Sequence, residues 1–516
     1  MKKTIYIILA AFSLLLMSCY KDLSTTADKI IPDIVITGFP DELNVVYGEE
    51  ITLQVKAYMG AKTGDQLEYL WEVDIIANDG NPRAEIGTGS TLVYKVNNTP
   101  SVRGYLLNVR VTDPETGLQA VRGCWMYVGS SLGEGLLVGY TRPDGTTSEF
   151  DIIASPALSY GYTGSSRITR GLFELANGEP FPEKLTCMLH TLESDNAVYN
   201  LSRILVGSQN HITAIDPLTF KTREKDAQLF STKNVTEFGP SILFNWGGYV
   251  SSMFINGKSF NHPCNIDNVY AKMPESLDNP LTFTPYNLGY SSLDQGLATI
   301  FNEADGHFYS MTVLQVMGGG MSLVDDSKGA LTFPTDNAKC LMGGGLKGMR
   351  TAFLLKDKNG AYHIVMLEKT NTGVDLSCVD FDGEKIEDAV SIAFCDNGDL
   401  LFYATDDTIY STIISGNITQ NRQLSWKAAS SDERITRIFQ YRQAWYGTGQ
   451  QDQQDYKFVL PTHRSMLVIV TQNVVTGEGK VYLRGFNVST GMFTFNGDYG
   501  SFGGFGEITA IAPTMK

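Results

Sequence analysis

Short runs of alternating apolar and polar residues dominate the chain between residues 31 and 130. Four runs carry the pattern, at 51–57, 67–73, 106–112 and 124–128. A period of two is the period of a strand with one buried face, and in the second run it places Tyr69, Trp71 and Val73 on the same face. Turn-forming stretches at 78–82 and 113–117 separate the runs. The pattern predicts a small two-sheet β-sandwich over residues 31–130.

From residue 133 to residue 516 the pattern changes to apolar hairpins with turn residues at their corners. Seven hairpins recur at roughly 40–70 residue intervals, beginning near 135, 203, 242, 300, 352, 392 and 466. Corners such as Asp305-Gly306 and Asn359-Gly360 are strong hairpin signals. The repeat predicts a β-propeller of about seven blades over 133–516, closed by pairing of the segment 507–512 with the first propeller strand. Two stacked β-sandwiches are the alternative architecture.

The first thirty residues predict export and a lipid anchor. Lys2 and Lys3 precede an apolar run that is too short to span the ~30 Å hydrocarbon core comfortably, and Leu16-Met17-Ser18-Cys19 ends that run. This arrangement predicts a lipoprotein signal over 1–18, cleavage before Cys19, acylation of Cys19 and a polar tether over 19–30. An ordinary secretory signal with an incidental cysteine is the alternative.

Composition and charge narrow the classes of function. The formal net charge is −16, with 56 acidic and 40 basic residues. A field of that sign repels phosphate backbones, so nucleic acid is not an expected partner. Apart from Cys19, the remaining cysteines are widely spaced and contain no C-x-x-C pair, which predicts buried free thiols rather than a zinc or redox site.

Several segments of the first domain resemble the PKD (polycystic-kidney-disease) and immunoglobulin-like family. The matching segments are Gly48-Glu-Glu-Ile-Thr-Leu, Tyr69-Leu-Trp71 and Val109-Arg-Val-Thr-Asp113, and the family's glycine-rich turn after the tryptophan is replaced by Glu72-Val-Asp-Ile-Ile. The whole layout, with the ending Ile508-Thr-Ala-Ile-Ala-Pro, resembles the PKD-like lipoproteins of Bacteroidetes outer membranes. The Asp22-containing tether is similar to the export segment of surface-exposed lipoproteins of that phylum. The resemblance implies an accessory of a SusC/SusD-type nutrient importer, with a SusC-like barrel and a SusD-like lipoprotein as partners.

Motif matches to enzymes lack the context that their chemistry requires. Gly343–Gly348 satisfies G-x-G-x-x-G, but no helical period follows it, and the glycines are expected to form a corner or a flexible connection. Gly129–Gly133 fits G-x-S-x-G but precedes another strand, so a hinge between the domains is expected. The six histidines are scattered without zinc spacing, and no carboxylate pair stands out. We therefore expect no catalytic residues, no metal and no cofactor.

Aromatic residues near turns are the best candidates for ligand contact. Trp246, Trp426, Trp445 and Tyr446 can stack on sugar faces or peptide side chains, although the same rings suit blade packing. The expected function is that of a non-enzymatic lipoprotein, held by outer-membrane lipid through Cys19 and facing the cell exterior, which captures or passes on oligosaccharide or peptide. A surface hydrolase with its site on the propeller face and a purely protein-binding scaffold are the alternatives.

Overall fold

The computed structural model describes most of the chain as β-strands with short connections. The described residues are 31–76, 82–98, 101–129, 134–159, 162, 164–191, 203–231, 235–246, 250–256, 258–263, 271–272, 288–290, 297–312, 322–326, 328–348, 350–371, 373–415, 418–443 and 460–514. Contacts divide the chain into two compact units, Met1–Gly129 and Ser130–Lys516. Within the described ranges, no helix is long and apolar enough to cross a membrane.

The described residues of the first unit form ten strands in three sheets around a hydrophobic core. The strands are β1 (Val35–Thr37), β2 (Glu42–Val46), β3 (Glu50–Gln54), β4 (Lys56–Met59), β5 (Lys62–Thr63), β6 (Glu68–Asp74), β7 (Arg83–Thr88), β8 (Thr91–Lys95), β9 (Ser101–Thr112) and β10 (Gln119–Gly129). The sheets have the orders β1-β4-β5, β3-β8 and β2-β10-β9-β6-β7. Tyr69, Trp71 and Val73 of β6 are buried in the core, as the alternation predicts, and the Trp71 indole donates to the Gly89 carbonyl at 2.9 Å.

The run at 51–57 is two strands rather than one. β3 pairs with β8, whereas β4 pairs with β1 and β5 in a different sheet. Val55 lies between them, is buried, and donates its backbone N–H to Ser90. The alternation of apolar residues continues through this change of sheet, so the hydrophobic pattern alone gives no sign of it.

The second unit is a β-propeller. Its described residues form seven four-stranded antiparallel sheets, here called blades 1 to 7 in chain order. Blade 1 contains β11 (Gly135–Thr141), β12 (Ser148–Ala154), β13 (Arg167–Thr169) and the last strand of the chain. Blades 2 and 3 contain β14 (Leu185–Thr191), β15 (Arg203–Ser208), β16 (Ile212–Ile215), β17 (Thr222–Lys225), then β18 (Ile242–Trp246), β19 (Val250–Ile255), β20 (Lys258–Pro263) and β21 (Ala271–Lys272).

The remaining blades follow the same order, in which successive strands are hydrogen-bonded neighbours. Blades 4 and 5 contain β22 (Leu288–Tyr290), β23 (Leu297–Asn302), β24 (His307–Thr312), β25 (Ser322–Leu323), then β26 (Lys339–Leu346), β27 (Arg350–Lys356), β28 (Tyr362–Lys369) and β29 (Val374–Phe381). Blades 6 and 7 contain β30 (Ser391–Cys395), β31 (Leu400–Ala404), β32 (Ile409–Ser415), β33 (Ile418–Gln423), then β34 (Glu433–Gln440), β35 (Met466–Asn473), β36 (Gly479–Phe486) and β37 (Phe493–Phe505). One α-helix, Leu172–Asn177, follows β13.

The last strand, β38 (Glu507–Thr514), closes the ring. It pairs antiparallel with β11, from Gly135 opposite Thr514 to Thr141 opposite Glu507, which confirms the closure predicted from the sequence. Blade 1 is therefore built from both ends of the second unit, with the order β13-β12-β11-β38.

Three of the four glycines between Gly343 and Gly348 lie in a strand rather than at the predicted corner. Gly343, Gly344 and Gly345 lie within β26, and β26 packs against β30 of the next blade. A Cβ atom on Gly344 would come within 2.6 Å of the Phe394 side chain. The prediction of a corner was wrong for Gly343–Gly345, where Gly344 gives room for close packing between blades. It holds for Gly348, which lies in the turn before β27 with a φ of +81°. The next element in the described residues is the strand β27 rather than a helix, as the sequence indicates.

Candidate functional site

The predicted ligand-contact residues are placed only in part. Trp246 ends β18, where it pairs with Val250 of β19. Trp445, Tyr446 and the predicted lipid-attachment residue Cys19 lie outside the described residues. These positions therefore stay predictions.

Trp426 lies in the connection between blades 6 and 7 and is half-buried. Its ring makes a T-shaped contact with Tyr482, with the centroids 5.5 Å apart and the planes at 89°. The indole N–H is buried and has no acceptor within the part of the chain that the structure describes. One side of the ring thus serves blade packing, and ligand contact through Trp426 stays a prediction.

A cavity of about 530 Å³ lies between the outer strands of blades 4 and 5. This volume falls in the range typical of small-molecule sites, which is about 300–1,000 Å³. The lining combines hydroxyl groups, charged groups and aliphatic side chains. It includes Ser310, Ser322, Leu323, Asp325, Asp326, Lys328, Lys369, Thr370, Val374, Asp375 and Leu376. The cavity can therefore offer both hydrogen bonds and apolar contacts to a ligand, and we call it the blade 4–5 cavity.

The charged groups of this cavity are partly engaged with their neighbours. Lys328 Nζ lies 2.7 Å from Asp375 Oδ1. Asp326 accepts backbone N–H bonds from Ala330 and Leu331, at 2.7 and 3.2 Å, and so fixes its own turn. Asp326 is therefore a structural anchor within the lining, which the lysines, the hydroxyl groups and Asp325 complete.

Two buried carboxylates in blade 1 have raised pKa values but are committed to the fold. Burial raises the pKa of Glu149 and that of Asp151 above their ordinary values. Glu149 accepts the Phe173 and Glu174 N–H groups at the start of the helix, at 2.8 and 3.1 Å. Asp151 accepts the Gly171 N–H at 2.8 Å and pairs with Arg170 Nη1 at 2.7 Å. With side chains that are almost inaccessible, they cannot act on a substrate in this conformation.

A third buried carboxylate, Glu433, holds blade 7 together. It accepts hydrogen bonds from Lys480 Nζ at 2.8 Å, the Tyr482 hydroxyl at 2.6 Å and the Thr471 hydroxyl at 3.0 Å. Burial opposes ionisation, but these donors outweigh it and hold the pKa of Glu433 below its ordinary value. The carboxylate is saturated by the blade's own side chains.

Asp396, at the turn between β30 and β31, faces two arginines. Arg442 Nε and Arg464 Nη2 lie 3.0 and 3.2 Å from the same Asp396 oxygen, Oδ2. His463 directly precedes Arg464 in the sequence, and burial lowers the pKa of His463 to about 4. Its Nδ1 accepts the Gln443 N–H at 3.0 Å, so the imidazole is neutral at physiological pH and tied to the backbone.

Burial raises the pKa values of several cysteine thiols in the described residues. The cysteines of the described residues, Cys124, Cys187, Cys340, Cys378 and Cys395, form no disulfide with one another, as predicted, and Cys264 lies outside those residues. Burial raises the pKa of Cys124 to about 11 and that of Cys187 and Cys395 to about 12. Among the described ranges, no group of three His, Cys, Asp or Glu side chains could hold a metal ion.

Sequence reasoning missed the blade 4–5 cavity. Its two halves are the polar segments 325–330 and 369–375, which look like ordinary turns in the sequence. A signal existed in their shared content of lysine, hydroxyl and carboxylate groups. Only the packing of adjacent blades brings them face to face.

Comparisons with known proteins give structural similarity without a family. No family model matches the chain, and no curated protein matches it. A quinonprotein alcohol dehydrogenase-like protein from Bacteroides thetaiotaomicron has 13% identity and a TM-score of 0.39, covering 92% of this chain and 98% of that one. Apo AztD from Citrobacter koseri has 12% identity and a TM-score of 0.34, covering 86% and 98%. Sqt1 from Chaetomium thermophilum has 11% identity and a TM-score of 0.40, covering 72% and 85%.

Proposed function

We propose that this protein is a cell-surface lipoprotein that serves a SusC/SusD-type outer-membrane importer without catalysing a reaction. Acyl chains on Cys19 anchor it in the outer membrane, the PKD-like sandwich is a spacer, and the propeller captures or passes on oligosaccharide or peptide. The lipoprotein signal and the sequence resemblance support the anchor and the importer. The rigid all-β propeller supports the binding role.

The observation that carries the binding role is the contrast between two kinds of polar group. The buried carboxylates Glu149, Asp151 and Glu433 are saturated by backbone and side-chain donors. The polar groups of the blade 4–5 cavity also have partners within the chain, such as the Lys328–Asp375 ion pair, but they lie beside an open volume of about 530 Å³ and aliphatic side chains. A site of this kind orients a ligand by hydrogen bonds and holds it by apolar contact.

Isolation of the protein with its partners from native membranes tests the importer role. The tagged full-length protein should recover a SusC-like barrel and a SusD-like lipoprotein after gentle detergent extraction. The matched control is Cys19→Ala, which loses the anchor and should lose both partners. Recovery of the anchored protein without a barrel would contradict the importer role and would favour a hydrolase or a scaffold.

A cavity-filling substitution tests the binding role separately. Ser322 lines the cavity and is exposed, so Ser322→Trp should block the cavity without disturbing the blade. The control is Ser489→Trp, at an exposed position in the turn between β36 and β37. Oligosaccharide or peptide mixtures retained by the parent and by the control, but not by Ser322→Trp, would support the site. Equal retention by all three proteins would contradict it.

A further inference from the structure

The outer face of the five-stranded sheet in the first unit carries two aromatic rings. Along β10 the side chains alternate, and Cys124, Met126 and Val128 are buried in the core. Trp125 and Tyr127 therefore lie on the opposite face, where Trp125 is 41% exposed and Tyr127 is partly exposed. The solvated face of an antiparallel sheet is usually polar, so a large exposed indole at this position calls for a reason.

Both rings rest on one glycine of the neighbouring strand. A Cβ atom on Gly104 would come within 2.9 Å of Trp125 Cε3 and 3.3 Å of Tyr127 Cε1. Gly104 lies inside β9 and has no positive φ angle, so the backbone there does not require glycine. The missing side chain gives room for the rings to lie against the strand, while part of Trp125 stays exposed to solvent.

Hydrogen-bonding groups lie on the strands near the rings. Glu42 of β2 lies opposite Trp125, and its carboxylate accepts a hydrogen bond from the Asn44 amide at 3.0 Å. Both Glu42 and Asn44 are exposed. On the other side of β9, Glu72 lies beside Asn108 and pairs with Arg110 at 2.9 Å. The face thus combines an apolar platform with acceptors and an amide donor at its edge.

We propose that this aromatic face, formed by Trp125, Tyr127, Glu42 and Asn44, binds a neutral oligosaccharide. The apolar face of a pyranose stacks on the indole, and the ring hydroxyls donate to the Glu42 carboxylate and accept from the Asn44 amide. Trp125 and Tyr127 are two residues apart on one strand, so their Cα atoms are separated by about 7 Å. This spacing lets adjacent sugar units meet the two rings.

Charge and size select this ligand class. The carboxylates at the edge and the net charge of −16 disfavour acidic glycans and other anions. A stable protein partner would cover about 800 Å² on each side around an apolar centre, whereas the apolar part of this face is limited to the two rings with Leu106 and Val121, beside the exposed Glu42 and Asn44. The inference goes beyond the importer role, because it assigns a second site to the first unit and its test needs no membrane partner.

The test measures binding by the full mature chain carrying Cys19→Ser, which keeps it free of lipid. The probes are hexasaccharides of β-1,4-glucose, β-1,4-mannose, β-1,4-xylose and α-1,4-glucose. Binding of each probe is measured by calorimetry and by the change in tryptophan fluorescence. We expect at least one probe to bind and to change the emission. Trp125→Ala should weaken that binding about tenfold.

Two further variants keep the interpretation specific. Gly104→Ala keeps both rings but displaces them, so it should weaken oligosaccharide binding severalfold. The thermal unfolding curve of this variant should match that of the parent. Phe495→Ala removes a fully exposed ring from the second unit and should leave binding unchanged. Failure of all four probes to bind, or binding that survives Trp125→Ala, would overturn the proposal even if the importer partners are recovered.

Discussion

Substitution of Arg170 should weaken the closed ring. Arg170 Nη1 lies 2.7 Å from the buried Asp151 carboxylate, and the guanidinium donates to the Gly504 carbonyl at 3.0 Å and to the Gly503 carbonyl at 2.5 Å. It also lies over the Phe505 ring, 4.8 Å from the centroid. One side chain therefore ties blade 1 to the edge strand of blade 7.

The magnitude follows from what Arg170→Ala leaves behind. Removing one partner of a buried ion pair costs about 3–5 kcal/mol, but the Arg170 side chain is 42% exposed, and solvent screening reduces that figure. We expect a loss of about 2–3 kcal/mol. At about 2.1 cal/mol/K per residue, a unit that spans 130–516 loses about 3 °C in melting temperature.

The effect should depend on pH in a defined direction. Burial raises the folded-state pKa of Asp151 above its ordinary value, so the native state binds a proton more readily than the unfolded chain. Without Arg170, the ionised Asp151 carboxylate is even less stable in the folded state, and the pKa of Asp151 rises further. The destabilisation by Arg170→Ala should be largest at neutral pH and should shrink as the pH falls towards the raised pKa.

Thermal and urea unfolding at pH 7 and pH 5 measure this difference. The matched control is Arg142→Ala, which breaks an exposed pair with Glu174 in the same blade, at 2.8 Å, and should cost less than about 1 kcal/mol. An Arg170→Ala protein no less stable than the control, or a deficit that is the same at both pH values, would refute the reasoning.

Three other substitutions or modifications give expected outcomes. Glu433→Gln should destabilise blade 7 by about 2–4 kcal/mol at pH 7 in urea unfolding, because Lys480 loses its charged partner. Because the folded-state pKa of Glu433 is lowered, the difference in unfolding free energy from the parent should disappear as the pH falls through that pKa. A difference that does not change with pH would contradict this. Thiol labelling at pH 7.5 of a Cys264→Ser protein should be slow until denaturant is added, because burial raises the pKa of Cys124 to about 11 and of Cys187 and Cys395 to about 12; rapid native labelling of these sites would contradict it. Trp71→Ala should cost about 3–5 kcal/mol in the first unit, with a second melting transition unchanged, and a loss shared by both transitions would contradict independent cores.

The sequence predicts the propeller because its turns are local. The corner at 357–360 illustrates this, since Asp357 accepts the Asn359 and Ala361 N–H groups at 2.8 Å and ends one strand before the next begins. Asp144 and Asn473 form comparable corners in two other predicted hairpins, each accepting the N–H groups two and three residues further on. The hydrophobic run at 507–512 matches the first strand that it closes against. Local chemistry of this kind is visible in the sequence.

Features that depend on neighbours distant in sequence escape the same reasoning. The change of sheet at Val55 keeps the alternation intact, and Gly343–Gly345 look like a corner until Phe394 is seen against them. The platform at Trp125 requires Gly104 on another strand. In each case the residue that explains the feature is distant in sequence and is brought into contact only by the packing of the fold.

The most direct test of the account is mass spectrometry of the N-terminal peptide of the protein extracted from its native membranes. The account predicts a mature chain that begins at Cys19 and carries a diacylglyceryl group and an additional acyl chain. A mature chain with an unmodified N terminus would contradict the anchored lipoprotein on which the proposed function depends.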